Sequence, residues 1–172
     1  ASAVSVYRKL IDGIGYGKKL SKTDTLTLKT AFSRGEYLSR AYLDSGTPFI
    51  VEKNYGNHTG IEIGRVKSVQ PFKEDLYKVD IISDREIHDG DGLKFFDGTT
   101  EKASLGVGDC RNISKGIFGF VTKTKVRPGY TVNLILDSET EEKLLGEKRV
   151  IPVNITVKAV AGEKLSVKFR SN

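Results

Sequence analysis

The chain has 172 residues, enough for one ordinary domain or a domain and a half. Its composition, 38% hydrophobic and 29% charged, argues against disorder, and a net charge of +6 permits an anionic partner without demanding one. The single Cys110 excludes an internal disulfide and any multi-cysteine metal centre made by this chain alone, and apolar runs such as Leu134-Ile135-Leu136 are too short to cross a bilayer.

The opening reads as helical. Val4, Tyr7, Ile11 and Ile14 fall at i, i+3, i+7 and i+10, one face of a 3.6-residue helix, which Gly13, Gly15 and Gly17 then end. A second helix is expected from a cap at Thr23 or Asp24, with Leu28, Ala31 and Phe32 as its apolar side and Gly35 as its stop. Residues 45–60 are rich in Gly, Asn, Thr and Pro and read as an extended loop. From Gly60 the period changes to two. Ile61 and Ile63 alternate with Glu62, Gly64 marks a bulge or bend, and Tyr77, Val79 and Ile81 alternate with Lys78 and Asp80. Leu93 to Phe96 follows the turn Asp89-Gly90-Asp91-Gly92, Ile117 to Val126 reads as one long strand, and Thr131 to Leu136 follows Pro128-Gly129. Short strands bounded by such turns predict a small closed barrel. Ser138-Glu139-Thr140-Glu141 has the form of a capping box and opens a short helix. Val153, Ile155 and Val157, then Leu165, Val167 and Phe169, predict a hairpin with one apolar and one wet face, which needs cover from elsewhere.

Charge is unevenly placed. Residues 84–97 hold five acids against two bases, whereas residues 111–127 hold five bases and no acid. Continued period two puts Lys123, Lys125 and Arg127 on one strand face, with Phe118 and Phe120 just before them. Cations beside aromatics suit a phosphate backbone and its bases, so Arg111, Lys115, Phe118, Phe120, Lys123, Lys125 and Arg127 form the candidate nucleic-acid site. The alternative is that the phenylalanines fill the barrel and the lysines solubilise its outside.

Catalytic and metal sites are not expected. His58 and His88 have no neighbouring histidine or cysteine, and Asp89-Gly90-Asp91-Gly92 lacks the closing glutamate of a calcium loop and reads as a turn. Cys110 has no paired histidine, and the alternating Gly13, Gly15 and Gly17 lack the strand-to-helix context of a dinucleotide fingerprint.

Ile63-Gly64-Arg65-Val66, followed by His88 to Phe96, resembles the second domain of the translation elongation factors, a barrel. In fuller order Tyr7 to Asp12, Thr30-Ala31-Phe32-Ser33-Arg34-Gly35, the loop from Asn54 to Gly60, Asp137 to Leu145 and Ile151-Pro152-Val153 resemble the downstream region of the collagenase-like peptidases of unknown catalytic type, family thirty-two. That resemblance implies an upstream TIM-like domain in the same chain as first partner. It also implies a parent that is either a collagenase-like peptidase or a relative of the RNA hydroxylation factors, whose cysteines hold an iron–sulfur cluster. None of those cysteines is present here, so no cofactor is expected in this stretch and no catalytic residue carries over. The sequence, with no leader and no methionine, reads as a piece of a longer cytoplasmic protein.

The expected fold is mainly β. It comprises a helical segment and linker (1–58), a six-stranded elongation-factor-domain-two-like barrel (59–137), and a helix plus β-hairpin of an incomplete α+β unit (138–172). The expected role is a non-catalytic accessory one, positioning a macromolecule, RNA before polypeptide, for the upstream domain, with no membrane association. The alternatives are part of a genuine peptidase and a purely structural or oligomerising barrel, and the C-terminal hairpin is a candidate surface for self-association.

Overall fold

A computed structural model describes residues 1–33, 56–146 and 152–171. Helix α1 (Ser2–Gly13) runs into a short 3-10 turn, Ile14–Tyr16, which Gly17 ends at φ +66. The helix is where the sequence places it, but its packed side is different. Ser2, Val6 and Gly13 are buried, while Val4, Tyr7, Ile11 and Ile14 are 56–72% exposed. The small residues allow close approach: a Cβ on Gly13 would meet the Lys18 stem within 3 Å. Helix α2 (Lys22–Ala31) begins with a capping box in which Ser21, not Thr23 or Asp24, is the cap. Asp24 is its N3 partner and also receives the Lys9 ammonium at 2.8 Å. The Lys9 and Ser21 hydrogen bonds hold the Asp24 carboxyl down at about 2. Leu28 is buried as expected, whereas Ala31 and Phe32 are exposed. Gly35 and most of the 45–60 loop lie outside the described residues.

Seven strands follow: β1 (Ile61–Lys73), β2 (Leu76–Ser83), β3 (Gly92–Asp97), β4 (Thr100–Gly106), β5 (Arg111–Ser114), β6 (Ile117–Thr122) and β7 (Thr131–Leu136). They form one antiparallel sheet in the order β4-β3-β7-β1-β2-β6-β5. One apolar cluster gathers Ile61, Ile63, Val79, Ile81, Leu93, Phe95, Phe118, Phe120, Val132 and Leu134 from five strands. Val79, Ile81, Leu93, Phe95 and Val132 have no exposed surface, yet among the described residues no second sheet covers them. With Ile87, Val107 and Val126 of the connecting segments in the same cluster, this fits a sheet curled around its core, the barrel-like architecture the alternation predicts.

The strand count is seven, not six. The strands located in the sequence include neither β4, which alternates only between exposed and half-buried positions, nor β5, which is exposed throughout and carries no inside–outside alternation for a sequence reading to find. The terminal strands β4 and β5 do not pair with each other among the described residues, so the ladder keeps two edges that full closure would have removed. β6 also ends four residues early. The Thr122 hydroxyl accepts the Thr124 amide at 3.1 Å and turns the chain off the ladder. Gly64 sits at the expected bulge, where the β1–β7 register shifts between Glu62 and Gly64.

Helix α3 (Ser138–Gly146) is capped by Asp137, whose carboxylate accepts the Thr140 amide at 2.9 Å. The expected Ser138–Glu141 box is not formed, because the Ser138 hydroxyl turns to Asp91 and the Glu141 carboxylate accepts the Ser2 hydroxyl. The last element is the predicted hairpin, β8 (Val153–Lys158) with β9 (Ser166–Ser171), a separate two-stranded sheet. Ile155 faces Phe169 and Val157 faces Val167 across it, and all four are 42–66% exposed.

Candidate nucleic-acid interface

The barrel divides the seven residues that the sequence singles out. Phe118 and Phe120 point inward, 5% and 2% exposed, and belong to the core. This corrects their placement at the interface: their period-two register with Val79 and Ile81 on β2 puts them inside. The cations do not share one surface either. Lys115 lies in the turn before Ile117 and Lys123 just after Thr122, so roughly 17 Å of strand separates the two ends. Arg111, on edge strand β5, borders an outer groove of about 420 Å³ with Lys78, Phe72 and Ile113.

Lys123, Lys125 and Arg127 do stay together. Although the ladder stops at Thr122, alternation continues, with these three exposed and Val126 buried in the core. None of the three enters an ion pair among the described residues. A tight turn then fixes the end of the run. The Tyr130 amide donates to the Arg127 carbonyl at 3.3 Å, with Pro128 and Gly129 between and Gly129 at φ +88. Proline and a positive-φ glycine at those positions are the type II arrangement. The turn is pinned to β1 by Val66 N–H to the Tyr130 carbonyl, 2.9 Å, and Gly129 N–H to the Val66 carbonyl, 2.8 Å.

From Lys125 on, this segment borders an open cavity at the mouth of the barrel, the end of the curled sheet that holds the β1–β2 and β3–β4 turns. Lys125, Val126, Arg127 and Tyr130 meet Val69 of β1, Tyr77 of β2, Asp97 of β3 and Lys102 of β4 around this cavity of about 520 Å³. Three cations and one carboxylate line it. No local spacing in the sequence connects Lys102, Tyr77 and Tyr130 to the basic run; the curl of the sheet does.

The other polar centres are structural. His58 clamps helix to barrel: its Nδ1 accepts the Ser33 amide at 2.8 Å, and its Nε2 lies 3.0 Å from the Thr30 carbonyl and 3.1 Å from that of Ile135. Those partners assign the proton to Nε2. The ring stacks on Phe32 at 5.6 Å, and Lys94 donates to the His58 carbonyl at 2.9 Å and to Glu101 at 3.0 Å. Asp91 is 2% exposed and joins two segments, accepting the His88 amide at 2.8 Å and the Ser138 amide and hydroxyl at 2.9 and 2.8 Å. The His88-to-Asp91 turn closes through Asp91 N–H to the His88 carbonyl, so the turn reading of this stretch describes its geometry. Among the described residues no group of three or more His, Cys, Asp or Glu is placed to hold a metal ion.

Cys110 is half-buried, and burial, then Asp89 and Asp91, push its thiol up to about 11. Only the thiolate is nucleophilic, so near pH 8 iodoacetamide should label Cys110 about two orders of magnitude more slowly in the native chain than in urea. Equal rates in the two states would contradict this environment.

No family model matches the chain, and neither a curated protein nor a solved structure matches it.

Proposed function

We propose that this chain is a non-catalytic accessory module that positions a polyanion, RNA rather than polypeptide, for a catalytic domain elsewhere in a longer protein. The observation that carries the reading is the run Lys123, Lys125 and Arg127, exposed and without ion-pair partners among the described residues, with Lys125 and Arg127 lining the cavity at the barrel mouth. Cations already paired with carboxylates have little left to offer a phosphate; these three are uncommitted. The sequence resemblance to the collagenase-like peptidase family supports an accessory role, as does the inert setting of Cys110. Arg111 and Lys115 stand apart from this run and make a weaker second contact.

Phosphate contacts release counterions, so affinity for a single strand should fall with salt at a log–log slope near −0.7 per phosphate engaged. Changing Lys123, Lys125 and Arg127 together to glutamine should leave the fold intact, because all three are exposed. It should weaken binding of single-stranded RNA about ten-fold or more, reduce the slope magnitude by roughly 2, and do so alike for every sequence. A folded triple variant with unchanged affinity and slope would sink the reading. The structural alternative, self-association through the hairpin, would then be preferred, and the uncovered Ile155, Val157, Val167 and Phe169 favour it.

A further inference from the structure

We propose that the barrel mouth is a nucleotide-unit pocket: Tyr77 and Tyr130 receive one base of a single strand, while Lys102, Lys125 and Arg127 hold the phosphates flanking it. This deepens the polyanion reading and rests on it. The cavity holds about 520 Å³, within the ~300–1,000 Å³ span of small-ligand sites. Its chemistry is divided as a nucleotide's is. Tyr77 and Tyr130 are half-buried and packed against the core, and both also line the cavity. Val69 and Val126 complete an apolar lining, and Val126 is 5% exposed. A backed aromatic is a stacking platform that gives up little freedom when a base arrives.

The cations come to this pocket from two directions. Lys125 and Arg127 lie on the segment between β6 and β7, and Lys102 on β4 beyond the β3–β4 turn. The turn Arg127-Pro128-Gly129-Tyr130 holds Arg127 and Tyr130 one turn apart, which sets a phosphate partner beside a stacking ring. Asp97 is the one acid in the lining, leaving an excess of two positive charges. An A-form duplex keeps its bases stacked and out of reach of such a pocket, so the fit is to unpaired strands.

The test compares fluorescein-labelled octauridylate with an abasic ribose-phosphate oligomer of equal length, both by anisotropy on the whole chain. Wild-type protein should bind octauridylate at least ten-fold more tightly than the abasic oligomer. Tyrosine emission, unobscured because the chain has no tryptophan, should be quenched only by the former. Tyr130→Leu and Tyr77→Leu should lower octauridylate affinity toward the abasic value, Tyr130→Phe should preserve it, and Lys102→Gln should reduce the salt slope for both oligomers. Equal wild-type affinity for the two oligomers would overturn the base pocket while leaving the backbone contact standing. Failure of both to bind would remove the polyanion reading along with it. Uridine monophosphate displacing octauridylate at micromolar concentration would make the pocket one for free nucleotides, which also overturns the proposal.

Discussion

Asp91→Ala is expected to destabilise the chain by about 3–5 kcal/mol, because it leaves the His88 and Ser138 amides without their buried acceptor, while the Ser138 hydroxyl keeps the Asp89 carbonyl at 2.9 Å. The Asp91 carboxylate is 2% exposed and accepts three hydrogen bonds, two from Ser138 and one from the His88 amide. Hydrogen bonds to a charged group contribute about 1.5–3 kcal/mol each, and partial relaxation returns some of the loss. The location adds to the effect. Asp91 ties the turn before β3 to the first residue of α3, and its own carbonyl accepts the Val107 amide at 2.8 Å, so three segments meet there. The carboxylate also lies at the N-terminus of α3, where negative charge is favoured. Asp91→Asn should lose about half as much, since one oxygen remains while the amide nitrogen faces a donor. Asp109, exposed and outside this knot, is the control, and Asp109→Asn should stay within about 0.5 kcal/mol. Urea unfolding gives the comparison; a loss below about 1 kcal/mol for Asp91→Ala would mean the knot is not buried as described.

Gly64→Ala should be comparably severe for a steric reason. Gly64 has φ +158, and a Cβ there would lie 1.8 Å from the Ile82 carbonyl oxygen and 2.8 Å from its carbon. Neither atom belongs to a flexible side chain. β1 pairs with β2 on one side and β7 on the other, so relieving the clash means parting central strands of the sheet. A cost of about 3 kcal/mol or more is expected, read as a fall in Tm or as failure to fold. Gly108→Ala, where a Cβ would meet nothing within 4 Å, should leave Tm nearly unchanged. A Gly64→Ala chain as stable as the parent would contradict the bulge geometry.

How much of the fold is legible in the sequence depends on whether a residue's environment repeats locally. Tyr77, Val79 and Ile81 alternate with polar neighbours, and Val79 and Ile81 have no exposed surface. Lys123, Lys125 and Arg127 follow the same rule, which outlasts the ladder because an extended chain alternates with or without a partner strand. The rule fails where both faces look alike: β5 is wet on both sides and leaves no pattern. It also misleads when more than one face of a helix is apolar. α1 packs by Val6 and Gly13 and leaves the Val4–Tyr7–Ile11 stripe outward, a choice made by its contacts with α2 and α3 and not by periodicity. Capping shows the same competition. Ser138 has the sequence form of a cap, but a buried carboxylate from a turn 47 residues earlier claims its hydroxyl and Asp137 takes the cap.

The interface is half legible for a related reason. Its charged run is contiguous, so composition exposes it. Its aromatic component is not contiguous: the phenylalanines adjacent to the run are buried by strand parity, and the rings at the mouth come from Tyr77 on β2 and Tyr130 after the turn. Lys102 reaches the mouth only because β4 folds back on β3. Such convergence is a property of the curled sheet and leaves no spacing signal.

Residue-resolved chemical-shift mapping of the chain titrated with single-stranded RNA tests the barrel-mouth interface most directly. The largest amide shifts are expected on residues 123–130 and on Tyr77 and Lys102, and they should diminish as salt is raised. Shifts concentrated on β8–β9 or on α1, or no shifts at RNA concentrations that saturate a basic nucleic-acid-binding domain, would contradict it.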